Sequence, residues 1–293
     1  MDQIKLRERI MQDLTHLYEK DGCVSREELS NYTINGKQYR LIDQGRGIWN
    51  PKFLDSTLSI ISDPKSHYRD HHRDDGLIEY AYQQGTENGV NTKLRVAMLN
   101  KDPIILLTKI AANTYVPTMP VYVVGDDSIN RKFLIAVDEA MVVLANNAGS
   151  ISPIQKKYAE AIVKRRLHQP EFRGRVMRAY NTQCAICLIK HGELLDAAHI
   201  MPDSHENGVP DVSNGLALCK IHHAAYDKNF VGISADYVVH VNRDLLAEVD
   251  GPMLKHGIQE MHGRKIFVPA NHKEKPSPEA LNFRFESFAV YGS

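Results

Sequence analysis

The chain is poor in cysteine, with four in 293 residues. That is too few for a disulfide scaffold and suits a reducing compartment. No apolar run reaches the roughly 18 residues that a membrane-crossing helix needs. The leading MDQIKLRERIMQDL is charged and amphipathic, unlike a secretory leader. These absences point to a cytoplasmic protein with no membrane partner. Charge of one sign is missing too: 36 basic residues balance 36 acidic ones. Neutrality counts against indiscriminate nucleic-acid binding, which relies on a basic surplus. There is one tryptophan, no internal repeat and no low-complexity segment. The length allows one domain but suits two, each able to bury a core.

What is present divides by pattern. Residues 1–22 read as a helix, with Leu6, Ile10, Leu14 and Leu17 at helical spacing. YTINGKQYRLI reads as a hairpin around Asn35-Gly36. The short runs LSIIS, LIEYAY, LRVAML, PIILLTKI, TYVPTMPVYVVGD and KFLIAVD read as strands of a curled sheet or barrel over 23–145. A basic helical connector follows over 146–174, opened by ISPIQ and broken at Pro170. Its Lys164, Arg165 and Arg166 are candidate phosphate contacts, and also fit a solvated helix face. Residues 175–293 hold the metal motifs, then a helix-like GPMLKHGIQEMHG and a strand-like KIFVPA. The expected class is α+β.

Thiolates and imidazoles bind zinc tetrahedrally, and a two-residue gap lets one turn present both donors. Cys184-Ala-Ile-Cys187 and Cys219-Lys-Ile-His222 have that spacing. They predict a structural zinc site with four protein ligands and no open position. Cys23 stands apart.

Within the same segment, His199 ends the run LLDAAHI, Asn214 lies in DVSNGLALC, and His223 opens HHAAYD. In this order they resemble the HNH nucleases, whose ββα-metal fold grips one divalent cation between two strands and a helix. The resemblance implies His199 as general base, Asn214 as the residue that holds the strand-end loop in place, and His223 as a ligand of magnesium, manganese or a similar cation. Asp227 shares a helix face with His223 at i+4 and is a second candidate ligand. Many family members carry an Asp or His just before the base; here that position is Ala198. Asp196 lies on the same strand face and could substitute as a ligand or support the site from behind.

Upstream, Asp74-Asp75-Gly76, Tyr80-Ala81-Tyr82, Asn91-Thr92-Lys93-Leu94 and QGRGIWNP resemble parts of the SRA (PUA-like) domains, which flip a modified cytosine into a pocket. The resemblance implies a base pocket, for which Tyr68, Asp70, Tyr80 and Tyr82 are candidates. Asp74 or Asp75 could replace Asp70, and Trp49 is a DNA contact or a core anchor. Alternating tyrosines also suit a half-buried strand, and DDG a plain turn. Together the resemblances imply a Type IV restriction endonuclease of phage defence, cutting double-stranded DNA that carries 5-methylcytosine or 5-hydroxymethylcytosine, and working as a homodimer. The rivals are an HNH nuclease whose front domain reads unmodified sequence or a small ligand, and an inactive DNA-binding protein.

Overall fold

A computed structural model describes residues 2–64, 71–73, 75–83, 89–146, 152–203, 205–206 and 208–292. The chain forms two units, residues 1–18 with 23–171 and residues 19–22 with 172–293. It is α+β throughout. Among the described residues no helix is long and apolar enough to cross a membrane.

In the first unit, α1 (Gln3–Asp21) is followed by β1 (Val24–Ser25), α2 (Arg26–Ser30), β2 (Tyr32–Ile34), β3 (Lys37–Tyr39), β4 (Ile48–Trp49), β5 (Ser59–Ser62), β6 (His71–His72) and β7 (Ile78–Ala81). Then come α3 (Thr92–Asn100), β8 (Ile104–Ala111), β9 (Thr114–Asp127), β10 (Lys132–Ala136), α4 (Glu139–Asn146) and α5 (Pro153–Val163). The main sheet has the order β4-β5-β8-β9-β10-β7-β6, with β1 also on β9, and is antiparallel except for β5 on β8. The 14-residue β9 pairs with β8 along its first half and with β10 along its second, so the sheet curls along it. The turn between β2 and β3 has both Asn35 (φ 50°) and Gly36 (φ 75°) left-handed, as a two-residue hairpin requires. Beneath α1, the buried Arg7 guanidinium donates to Thr57 O (2.9 Å), Pro103 O (3.0 Å) and Ser56 Oγ (2.6 Å).

Three sequence expectations need correction. LRVAML is helix, not strand: Leu94 and Ala97, three residues apart, bury one face of α3. Pro170 does not end the basic helix. A π-helical turn over Lys164–His168 leads into α6 (Gln169–Ala179), and Arg166 O, the carbonyl a residue at 170 would normally bond, accepts from Thr118 Oγ1 (3.3 Å) instead. KIFVPA forms no strand, only a bridge between Lys265 and Val238.

In the second unit β11 (Leu195–His199) pairs antiparallel with β12 (Gly215–Cys219), which runs directly into α7 (Lys220–Asp227). A second hairpin, β13 (Val231–Ile233) with β14 (Val239–Val241), then α8 (Arg243–Ala247), α9 (Pro252–Gly257) and α10 (Pro278–Gly292), complete it. Its core gathers Phe172, Val176, Met177 and Tyr180 of the α6 segment onto Leu195, Ala198, Leu216 and Leu218 of the hairpin and Tyr226 of α7.

Candidate active site

The β11–β12 hairpin and α7 form a ββα unit, and its register places the functional side chains. His199, at the end of β11, lies opposite Gly215. Its ring stacks on Phe172 of α6, with centroids 4.1 Å apart and planes 18° from parallel. Gly215 is what permits this packing: a Cβ there would stand 2.5 Å from Val176 Cγ2 and 3.0 Å from Phe172 Cζ. The stack fixes the plane of the imidazole.

Asn214 precedes β12 and is buried. Its Oδ1 accepts from Met201 N (2.8 Å), while Nδ2 donates to Met201 O and to Val209 O (3.1 Å each). Its own carbonyl accepts from Ile200 N (3.0 Å). The backbone that leaves His199 is therefore tied to Asn214 at the next two residues.

On α7, His223 stands between two carboxylates: Asp196 Oδ2 lies 3.9 Å from Nδ1, and Asp227 Oδ2 3.4 Å from Nε2. Asp196 first, then Asp227, raises the pKa of His223 against the opposing effect of burial, and His223 in turn lowers that of Asp196. The carboxylates face opposite edges of the ring, so a cation held by one imidazole nitrogen would have one of them beside it. All three groups are oxygen or nitrogen donors and partly exposed, which suits a hard divalent ion that keeps water ligands. Ala198 is fully buried in the core and Asp196 projects from the same strand towards α7, as strand alternation implies. Three residues of strand, about 10 Å, separate Asp196 from His199.

The second cluster is closed. One ligand atom each from Cys184, Cys187, Cys219 and His222 lies within 4.8 Å of all the others. Bonds of about 2.3 Å to sulfur and 2.0 Å to nitrogen at tetrahedral angles would place sulfurs about 3.8 Å apart and sulfur about 3.5 Å from nitrogen. The observed separations are 3.9 Å for Cys187–Cys219, and 3.6 and 3.2 Å from His222 Nδ1 to Cys184 and Cys219. The donor set thus fits a tetrahedral ion such as zinc. His222 Nε2 donates to Gly257 O (2.7 Å), which turns Nδ1 towards the sulfurs. The Cys187 and Cys219 thiols hold Cys184 well below the ordinary thiol range, towards the thiolate that ligates metals.

Other candidates fall elsewhere. Tyr68, Asp70 and Asp74 lie outside the described residues. Tyr80 and Tyr82 are buried in the first unit's core. The Tyr80 hydroxyl donates to Gly47 O (2.9 Å), and Tyr82 bonds Asp126 and Arg95 with its ring against Phe133. Neither offers a free ring face for a base, so the strand-core alternative describes them. Asp75 is held in its own turn by Arg73 (2.7 Å). Arg166 donates to Val137 O (3.0 Å) and Pro120 O (2.9 Å) and is structural rather than a phosphate contact. Lys164 and Arg165 are exposed, and Arg165 lies 3.9 Å from Asp138. Trp49 is half-buried with Nε1 donating to Arg40 O (2.7 Å).

Phe172 and Gly257 escaped the sequence reading: neither belongs to a motif, and each is found only through its contact. A family model described as HNH endonuclease matches residues 184–234. No curated protein matches the chain. Among solved structures it is similar to the modification-dependent TagI restriction endonuclease, at 16% identity over 84% of this chain and 86% of that one, with a TM-score of 0.32. It is also similar to the Type IV phosphorothioation-dependent restriction endonuclease ScoMcrA, at 15% identity over 62% of this chain and 51% of that one, with a TM-score of 0.25. The strand pair, the helix that follows it and the matched segment coincide: residues 184–234 of this chain are an HNH endonuclease domain.

Proposed function

We propose that the chain is a restriction endonuclease that hydrolyses phosphodiester bonds in double-stranded DNA bearing 5-methylcytosine or 5-hydroxymethylcytosine. The observation that carries the hydrolytic half is the bracing of the loop after His199 by all three polar contacts of the buried Asn214 amide, on the same ββα unit that carries His223 between two carboxylates. In this reading His199, held flat on Phe172, takes the proton from the attacking water. Asn214 fixes where that imidazole sits. His223 binds the catalytic cation with Asp227 or Asp196. A magnesium or manganese ion there supplies stabilisation of the charge that develops on the phosphate and the leaving oxygen. The cluster of Cys184, Cys187, Cys219 and His222 holds zinc and clamps the start of α7, with no part in bond cleavage.

Net charge of zero supports selectivity. A neutral chain exerts little long-range pull on unmarked DNA, so productive binding depends on local recognition. The first unit would supply that recognition, and a homodimer would supply the two centres that a double-strand break requires. Outside the cluster the chain has one further cysteine, Cys23, in keeping with work in the cytoplasm.

The test is digestion of matched duplexes carrying cytosine, 5-methylcytosine or 5-hydroxymethylcytosine, with magnesium or manganese. Cleavage of modified DNA alone is expected. Equal cleavage of all three would remove the modification reader and leave the nuclease. No cleavage with any divalent ion would remove both.

A further inference from the structure

The first unit contains a cleft of about 570 Å³ lined by Arg40, Asp43, Gln44, Gly45, Arg46 and Trp49. Its backbone is pinned from several sides. Arg26 donates to Asp43 O (2.9 Å), and Asp43 Oδ1 accepts from Gly45 N (2.9 Å) and Arg46 N (2.5 Å). Ser59 Oγ donates to Leu41 O (2.6 Å), and Tyr80 Oη and Ile61 N both donate to Gly47 O (2.9 and 2.7 Å). Gly47 cannot carry a side chain there, since a Cβ would stand 2.7 Å from the Tyr80 hydroxyl. The loop is therefore set before any ligand arrives, which lowers the entropy lost on binding.

Its side chains are a different matter. Among the described residues the guanidiniums of Arg40 and Arg46 have no hydrogen-bond or ion-pair partner within the protein, while Asp43 spends one oxygen on the loop itself. Two uncommitted planar cations and an indole in one cleft, on a chain with no net charge, match a ligand with both anionic oxygens and an aromatic ring. A nucleotide within a DNA strand has both.

We propose that this cleft binds one nucleotide of the DNA substrate, its base against Trp49 and its flanking phosphates on Arg40 and Arg46. The proposal rests on the reading of the chain as a DNA nuclease and replaces the buried Tyr80 and Tyr82 as the base-contacting surface. Tyr80 becomes a positioning residue that supports the loop at Gly47.

Trp49 is the one tryptophan in the chain, so its emission reports on this cleft alone. The experiment titrates the full chain carrying His199→Ala, without divalent cation, with modified and unmodified duplexes, following tryptophan emission and the anisotropy of labelled DNA together. The expected result is quenching that saturates with the anisotropy. Arg40→Ala with Arg46→Ala should weaken binding at least about tenfold and lower the salt slope by about two. Full anisotropy with unmoved emission, or a double variant that binds like its parent, would overturn the cleft and leave the nuclease reading intact. No anisotropy change with any duplex would overturn the cleft and the proposed DNA substrate together.

Discussion

Replacing Asn214 tests the link between fold and chemistry most directly, because its amide makes three bonds at a buried position one residue from β12. Asn214→Ala leaves the Met201 N–H without an acceptor, at about 1–3 kcal/mol, and gives up two further bonds at about 0.5–1.5 kcal/mol each. The sum is about 4 kcal/mol, or roughly 15 °C in the melting of the C-terminal unit. Asn214→Asp is more informative. It keeps the acceptor for Met201 N, but turns an anionic oxygen towards Met201 O and Val209 O, where a donor belongs. The neutral carboxyl can still donate, so folding raises the pKa of this new group. A group raised by folding stabilises below its unfolded pKa and loses that contribution as pH rises through the folded value. The Asp variant should therefore be nearly as stable as the parent in acid and approach the Ala variant at neutral pH. Single-turnover cleavage should fall about a hundredfold for Asn214→Ala with little change in DNA affinity, since a misplaced base costs rate rather than binding. Melting across pH and single-turnover assays check both. Unaltered cleavage by Asn214→Ala, or an Asp variant that is more stable at neutral than at acidic pH, would refute the role assigned to this amide.

Other outcomes follow from the same geometry. His199→Ala should lose about 10²–10⁴ in rate yet keep manganese affinity in calorimetry, whereas His223→Ala should lose both. Because Asp196 and Asp227 favour the protonated His223, manganese must displace a proton there, so calorimetry should show weaker binding as pH falls through the raised value. Cys184→Ser should release zinc to a colorimetric chelator and unfold the C-terminal unit in circular dichroism, with helix content from the first unit preserved. Arg284 bonds Tyr226 O (2.7 Å) and Asn229 Oδ1 (2.6 Å) at the end of α7, with its guanidinium over the Tyr226 ring. Arg284→Met should fray that turn, raising the manganese concentration for half-maximal cleavage several-fold. Arg7→Ala should cost about 3 kcal/mol in urea denaturation, because two buried acceptors and a part-buried one lose a charged donor.

Much of the C-terminal site was legible in the chain because ligand chemistry demands short, rigid spacings. Cys184 and Cys187, Cys219 and His222, and His223 and Asp227 each lie within one turn, and turns are local. Phe172 and Gly257 were not legible. Each meets its partner across several intervening elements of the chain, and no periodicity records such a contact. The curled sheet was visible as a succession of short apolar runs, but α3 was misread since LRVAML suits both periods and only the neighbouring core decides between them. Tyr80 and Tyr82 illustrate the opposite error. An alternating aromatic pair carries no sign of which face is wet, and here their hydroxyls are spent inside the unit.

His222 and His223 are consecutive, yet one turns to three sulfurs and the other to two carboxylates. A sealed, sulfur-lined cluster and a water-accessible, carboxylate-flanked one thus hang from neighbouring Cα atoms. Slipping α7 by a single residue would present each imidazole to the wrong partner and abolish both at once. The stretch from Cys219 to His223 therefore tolerates no insertion or deletion, and the link from Cys187 to Leu195 is held to its length as well, since Ile189 O accepts from Cys184 N (3.0 Å) and Gly192 O from Arg173 (2.9 Å).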